Sequence, residues 1–270
     1  MTKIFVQTHL TGYDELADEL HDLLIRAVRP VEQVTGLPVP DKVEIALVSA
    51  DDLGTAYGAF IRRRIGRDIE GLVLTRSQQA RIPRVGFAAS HTKRIFGVHD
   101  EPCLIDNGVG HVRTLLVPDS LLLRGVNTAD LRCDQMVRVL TRHAQAAASG
   151  GEIVPAGGWP YPLRLGKDFV AQLSAGHVDW TSRKATDLVL ARPAVREPSR
   201  KPRIPLLRKA VMGVDPLLER PARNRARTFV ERTIDAVGQT AFNRVWADRD
   251  LIPTRAEMQR PALWAKRLSA

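Results

Sequence analysis

Two short stretches hold the residue types that do chemistry. In RVLTRHAQ, residues 138–145, Arg138 and Arg142 stand one helical turn apart and His143 follows. In LSAGHVDW, residues 173–180, His177 and Asp179 stand two apart. A guanidinium keeps its charge at any working pH and presents a planar fork of donors that fits a carboxylate or phosphate. Arg138, Arg142 and Asp179 are therefore the candidate ligand-binding residues, for an anion. A second reading makes the arginines ion-pair partners: Asp134 precedes Arg138 by one turn in the favourable acid-first order, and Asp179 or Asp187 would meet Arg142. His143 and His177 are the candidate catalytic residues, able to move protons near neutral pH, with a packed, hydrogen-bonded role as the alternative for each.

Other clusters carry less. HTKRIFGVHDEPC, residues 91–103, mixes His91, His99, Asp100 and Cys103, but in no spacing that zinc sites use. GVGHVRT lacks the GxGxxG spacing and precedes no helix, so a dinucleotide-binding turn is unsupported. The basic stretch 196–209 has few aromatics to stack on bases, and only 5% of the chain is Phe, Trp or Tyr.

The elements that must position these residues are legible from periodicity. KIFVQT (3–8) alternates as a strand, and Asp14 to Val34 carries Leu16, Leu20, Leu23, Leu24 and Val28 on one helical face. VEIALVSADDL (43–53) reads as a strand entering a helix capped by Ser49 or Asp51. Residues 70–117 hold short apolar runs, EGLVLT, KRIFGV and HVRTLLVP, with a turn signal in DNG at 106–108, and are expected to be the more β-like part. From Thr128 the pattern is helical: one long helix to Gly150, a Pro/Gly/Trp loop at 154–166, a second helix over 167–191 opened by Asp168 and Phe169, a basic proline-rich linker at 192–205, and helices again over 206–268. Val137, Leu140 and Ala144 on the first long helix and Val170, Leu173 and Val178 on the second predict that the two pack together. The expected fold class is α+β, mostly helical, with a small N-terminal sheet. Residues 1–127 form the N-terminal α/β part and 128–270 the helical part of what reads as one compact unit.

The chain also resembles a known family. RVLTRHAQ is similar to the HExTHxxQ helix of zincins, with Thr141 and Gln145 in their places, while Arg138, Val139 and Arg142 stand at the positions of two zinc-binding histidines and the water-activating Glu. LSAGHVDW resembles the EGH-containing helix that supplies a third ligand, with Ala175 at the Glu position. FVERTIDAVGQTAFNRVWADRDLIPTRAEMQRPALWAKRL (229–268) looks like the closing segment of an actinobacterial zincin-like family of zinc-dependent metalloproteases associated with deazaflavin-cofactor biosynthesis. IPLLRKAVMGVDPLLER (204–220) and RTLLVPDSLL (113–122) resemble other segments of that family, so the likeness covers roughly residues 110–268. It implies a zincin-like fold whose HExxH motif is degenerate. His143 lies about 100° around the helix from Arg142, and His177 is two residues from Ala175, so neither simply replaces a lost ligand. No metal ligand and no cofactor is expected.

Composition bounds the rest. The chain has 270 residues, 44% apolar and 26% charged, with 40 Lys+Arg against 30 Asp+Glu and a formal charge of +10. That usage excludes collagen-like, disordered and disulfide-scaffold classes, and the charge favours anionic partners. Two cysteines, outside any CxxC spacing, fit a reducing cytoplasm, and neither a signal peptide nor an 18-residue apolar run is visible. The expectation is a cytoplasmic pseudoprotease that binds a small anionic molecule or acidic peptide and engages no membrane. The alternatives are a repurposed, metal-independent enzyme of a specialised biosynthetic pathway and a nucleic-acid-binding protein, the latter disfavoured because no reading module accompanies the charge.

Overall fold

A computed structural model describes residues 2–106, 111–151, 169–196 and 216–269. The chain enters as strand β1 (Lys3–Thr8), crosses by helix α1 (Asp14–Thr35) and returns as β2 (Lys42–Leu47), parallel to β1 with Lys3 opposite Lys42 and Thr8 opposite Leu47. Helices α2 (Ala50–Asp68) and α3 (Arg76–Phe96) then lead to β3 (Cys103–Asp106) and β4 (Val112–Leu116). β4 lies parallel to β2, and β3 pairs antiparallel to β4 at the edge, giving the order β1-β2-β4-β3. Past β4 the chain is helical: α4 (Pro118–Leu123), α5 (Ala129–Ala148), α6 (Val170–Leu190), α7 (Pro216–Ala247), α8 (Arg255–Gln259) and α9 (Pro261–Ser269).

The alternation of β2 explains the layering. Val43, Ile45 and Leu47 point into a large core with α1, α5, α6, α7 and α9, while Ala46 and Val48 face a second cluster built from Tyr57, Phe60, Ile61 and Ile65 of α2. The small sheet is thus covered on both faces, as parallel strands require. The larger core draws on both the N-terminal and the helical parts of the chain, and α5 packs on α1 and α6.

Local signals set most boundaries. Ser49 caps α2 by accepting from the Asp52 amide, Thr128 caps α5 by accepting from Leu131, and α1 ends on Gly36 in the left-handed conformation. The β-like expectation for residues 70–117 is overturned over much of its length. The polar SQQARIP and the apolar KRIF lie together in the 21-residue α3, and only Cys103–Asp106 and Val112–Leu116 are strands. The helix wins because Thr75 and Gln78 form a capping box, and because Ile82, Val85 and Ala89 make a helical stripe against α2. The DNG turn and the 154–166 loop fall on residues 107–108 and 154–166, outside the described residues, as do Asp168 and the part of the basic linker after Arg196.

Several residues of the C-terminal stretch 229–268 do structural work. Trp264 donates to the Leu251 carbonyl at 2.8 Å and stacks on Phe229 at 5.2 Å. Asn243 donates to the Thr35 carbonyl at 2.8 Å, tying α7 to the end of α1. Thr254 and Glu257 close a capping box, and Glu257 also receives Arg267 at 2.7 Å. Gly238, at φ +78°, breaks α7 in two, a conformation that side-chain-bearing residues avoid.

Candidate functional site

Helix α5 presents Arg138 and Arg142 on one face, toward α6, the loop before β3, and α7. Arg138 Nε donates to Asp134 Oδ2 at 2.7 Å, one turn back on its own helix, and its Nη1 donates to Asp179 Oδ1 on α6. Arg142 Nη2 donates to Glu101 Oε2 at 2.7 Å and its Nη1 to the Pro102 carbonyl at 3.0 Å. The ion-pair partner foreseen for Arg138, Asp134, is present, and Asp179 joins it. Arg142 is met neither by Asp179 nor by Asp187 but by Glu101, because the chain entering β3 passes closer to its end of α5 than α6 does.

Glu101 is the hub. Besides Arg142 it accepts from Arg223 of α7 at 2.6 Å and lies 3.7 Å from Arg124, which follows α4. Asp187 takes Arg196 at 2.6 Å, and Arg196 also reaches Asp134 at 3.9 Å. Five arginines, Arg124, Arg138, Arg142, Arg196 and Arg223, therefore share four carboxylates, Glu101, Asp134, Asp179 and Asp187. Burial pushes the Glu101 carboxyl up, but Arg223, Arg142 and Arg124 outweigh it and hold it well below the usual carboxylate range. Burial pulls Arg138 down, yet Asp134 and Asp179 override it and raise its affinity for its proton. Arg124 is the exception: burial, with Arg223, Arg138 and Arg142 adding to it, draws it below its ordinary value against the pull of Glu101. Its Nη1 is buried and has no hydrogen-bond partner among the described residues. Arg223 is the open rim of the cluster, with its side chain 43% exposed.

The two histidines lie elsewhere in the packing. His143, fully buried, shares a 3.0 Å hydrogen bond between Nε2 and Thr114 of β4. His177, also fully buried, takes a 2.9 Å hydrogen bond at Nδ1 from Gln145 and sits among Trp180, Phe242 and Trp246 with ring centroids 5.2–5.7 Å away. Gln145 also accepts from Ser174 at 2.7 Å, so the Gln of the helix motif works as a bracket between α5 and α6. Burial lowers His143 to about 4, against a small opposing pull from Glu44, and lowers His177 to about 3. Both rings are neutral at pH 7. Unfolded histidines take up protons below roughly pH 6.5, whereas these folded ones wait until about 4 and about 3. Stability is expected to fall as pH drops from 6.5, by roughly 1.4 kcal/mol per pH unit for each ring. Urea midpoints measured between pH 7 and 5 check this, and His177→Gln should remove about half of the slope in that window.

Of the mixed segment at 91–103, Asp100 pairs with Lys93 at 2.7 Å, His91 stacks on Phe87, and Cys103 is buried on β3. Among the described residues no three His, Cys, Asp or Glu side chains are grouped to hold a metal ion. Sequence reasoning missed Glu101, Arg124 and Arg223. Each comes from a different element, and nothing in their local spacing points to α5.

Fold and site together define a mixed α+β protein whose helical half, with Glu101 and Arg124 from the part before it, carries a half-buried arginine–carboxylate cluster. A family model described as a zincin-like metallopeptidase matches residues 176–265, from the second site helix to the last. The match supports a zincin-like domain in this half, and the 138–145 stretch lies just outside it. No curated protein matches the chain. Among solved structures, a hydrolase candidate with a novel fold from Chloroflexus aurantiacus is similar at 10% identity, covering 96% of this chain and 92% of that one with a TM-score of 0.48.

Proposed function

We propose that the chain is a zincin-like protein that has exchanged its zinc centre for an anion-binding cluster, and that it binds a small anionic molecule or an acidic peptide there without hydrolysing it. Arg138 and Arg142 stand at two positions where the resembled family places zinc ligands, and a guanidinium has no lone pair to give. Val139 and Ala175, at the positions of the two glutamates, have no donor either. The residues present do not fit a zinc ion.

The observation that carries the anion reading is the buried Nη1 of Arg124, which has no partner among the described residues, in a cluster whose described members number one more guanidinium than carboxylates. Donors in a partly dry site gain most from a charged acceptor, and an incoming carboxylate or phosphate would supply the missing charge. Arg142 and Arg124 would hold it, Arg223 would admit it from the exposed rim, and Asp134 and Asp179 keep Arg138 aimed as a positioning residue.

Calorimetric titration with inorganic phosphate and with an oligoglutamate peptide tests the reading. One of the two should bind, and Arg124→Gln with Arg142→Gln should weaken it, each lost charge-assisted contact being worth roughly 1.5–3 kcal/mol. An unchanged affinity with a markedly lower melting point would make the cluster purely structural. About one zinc per chain after dialysis, or peptidase activity abolished by a chelator and restored by zinc, would overturn the proposal outright.

A further inference from the structure

We propose that the α2–α3 hairpin is a docking surface for an anionic lipid bilayer, independent of the arginine–carboxylate cluster. Helix α3 carries Arg76, Arg81, Arg84, Lys93 and Arg94 and no acidic residue in its 21 positions. Arg76, Arg81 and Arg84 are exposed and make no ion pair with any described residue. Its outer face runs Ala80, Arg84, Phe87, Ala88, His91 and Ile95, the i, i+4, i+7, i+8, i+11, i+15 spacing of a single helical stripe. On that stripe Phe87 is 71% and Ile95 48% exposed, and at the turn joining the helices Leu72 is 49% exposed and Val73 fully so. These apolar side chains would reach a partner along roughly 30 Å of helix.

The hairpin is preformed. A Cβ on Gly58 would stand 2.6 Å from Ser90 Cβ, so α2 and α3 approach too closely to splay apart without losing their contact. The apolar stripe is therefore not the inner face of a loosened hairpin, since Ile82, Val85 and Ala89 already fill that role. Protruding, basic-flanked apolar side chains suit a fluid partner, which needs no complementary pockets. A second copy meeting this face across a two-fold axis would bring together two helices that carry basic residues and no carboxylate to neutralise them. A nucleic acid would satisfy the arginines but leave Leu72, Val73 and Ile95 in water. No helix among the described residues is long and apolar enough to cross a membrane, and surface docking needs none. The expectation of no membrane partner followed from the missing span alone.

Co-sedimentation of the full chain with phosphatidylcholine vesicles, with and without phosphatidylglycerol, tests the proposal. Binding is expected only with phosphatidylglycerol. It should fall about a hundredfold in the triple variant Arg76→Gln, Arg81→Gln, Arg84→Gln, since each basic residue near an anionic surface contributes several-fold. Val73→Ser with Phe87→Ser should leave binding at low salt and abolish what survives at high salt. All five positions are exposed, and unchanged circular-dichroism melting confirms that the variants fold. No sedimentation with phosphatidylglycerol vesicles at low salt, binding indifferent to these substitutions, or a concentration-dependent dimer lost in Phe87→Ser would each overturn it. Capture by soluble polyglutamate that the triple variant loses, without capture by vesicles, would do so as well, by assigning the face to an acidic protein.

Discussion

Glu101→Ala is expected to lower the stability of the chain by about 3 kcal/mol, more than any other single change at the arginine cluster. The carboxylate is the common partner of Arg142, Arg223 and Arg124. Removing it leaves three guanidiniums facing one another, and unpairing a buried ion typically costs roughly 3–5 kcal/mol. The low end applies because the Glu101 side chain is still 18% exposed and water softens the repulsion. Glu101→Gln keeps the shape and the acceptor oxygen, so a loss nearly as large in that variant would locate the effect in charge rather than packing. The pH dependence has a definite sign. A carboxylate held below its unfolded value stabilises above that value, near 4.3, and the contribution is lost as pH falls through the folded one. Glu101 is held well below its ordinary range, so the wild type should lose stability more steeply than Glu101→Gln below about pH 4. Chemical denaturation from pH 7 to 3 measures both quantities, and parallel curves for the two proteins would remove Glu101 from the role of hub.

That hub marks the boundary of what the sequence discloses. Helices α1, α5 and α6 announce themselves through apolar stripes and through caps at Gly36 and Thr128, and the packing of α5 on α6 follows from those stripes. The pairing of Arg138 with Asp134 is equally local, a contact between successive turns of one helix. Glu101, Arg124 and Arg223 meet only because β3, α4 and α7 converge in space, and a polar residue in an irregular loop has no periodicity from which to infer its partner. The α3 helix was hidden for a different reason. Its polar opening and Pro83 interrupt the apolar pattern, and its last turn, KRIF, resembles a short strand when read alone. The one local sign of a helix start there is Thr75 followed three residues later by Gln78, the capping box that the structure contains. The resemblance to zincins is legible mostly through packing residues. Phe242 packs against both Trp246 and Trp264 at the α7–α9 junction, and Gln145 spans α5 and α6, so the residues that carry it serve the core.

The second large effect is expected at Gly176, the glycine of LSAGHVDW. Helix α6 runs so close to α7 that a Cβ at this position would stand 2.5 Å from the Ala226 carbonyl oxygen and 2.6 Å from its carbon. These are backbone atoms of a packed helix, so no side-chain rotation relieves the clash, and the helices must separate. Separation would draw Val178 and Trp180 out of the core and pull His177 from its stack with Phe242 and Trp246. Overpacking of this kind costs roughly 1–3 kcal/mol, offset in Gly176→Ala by the better helix propensity of alanine, about 1 kcal/mol. Gly176→Val has a larger side chain and little of that offset, so its net loss should reach about 3 kcal/mol and its near-ultraviolet tryptophan signal should weaken. Gly66 supplies the control. It lies within α2 with nothing within 4 Å of an added Cβ, so Gly66→Ala should hold or raise stability by up to about 1 kcal/mol. Equal melting temperatures for the alanine variants at 66 and 176 would mean that α6 and α7 do not meet at this glycine, and with that contact would go the positioning of Asp179 and Arg223 around the arginine cluster.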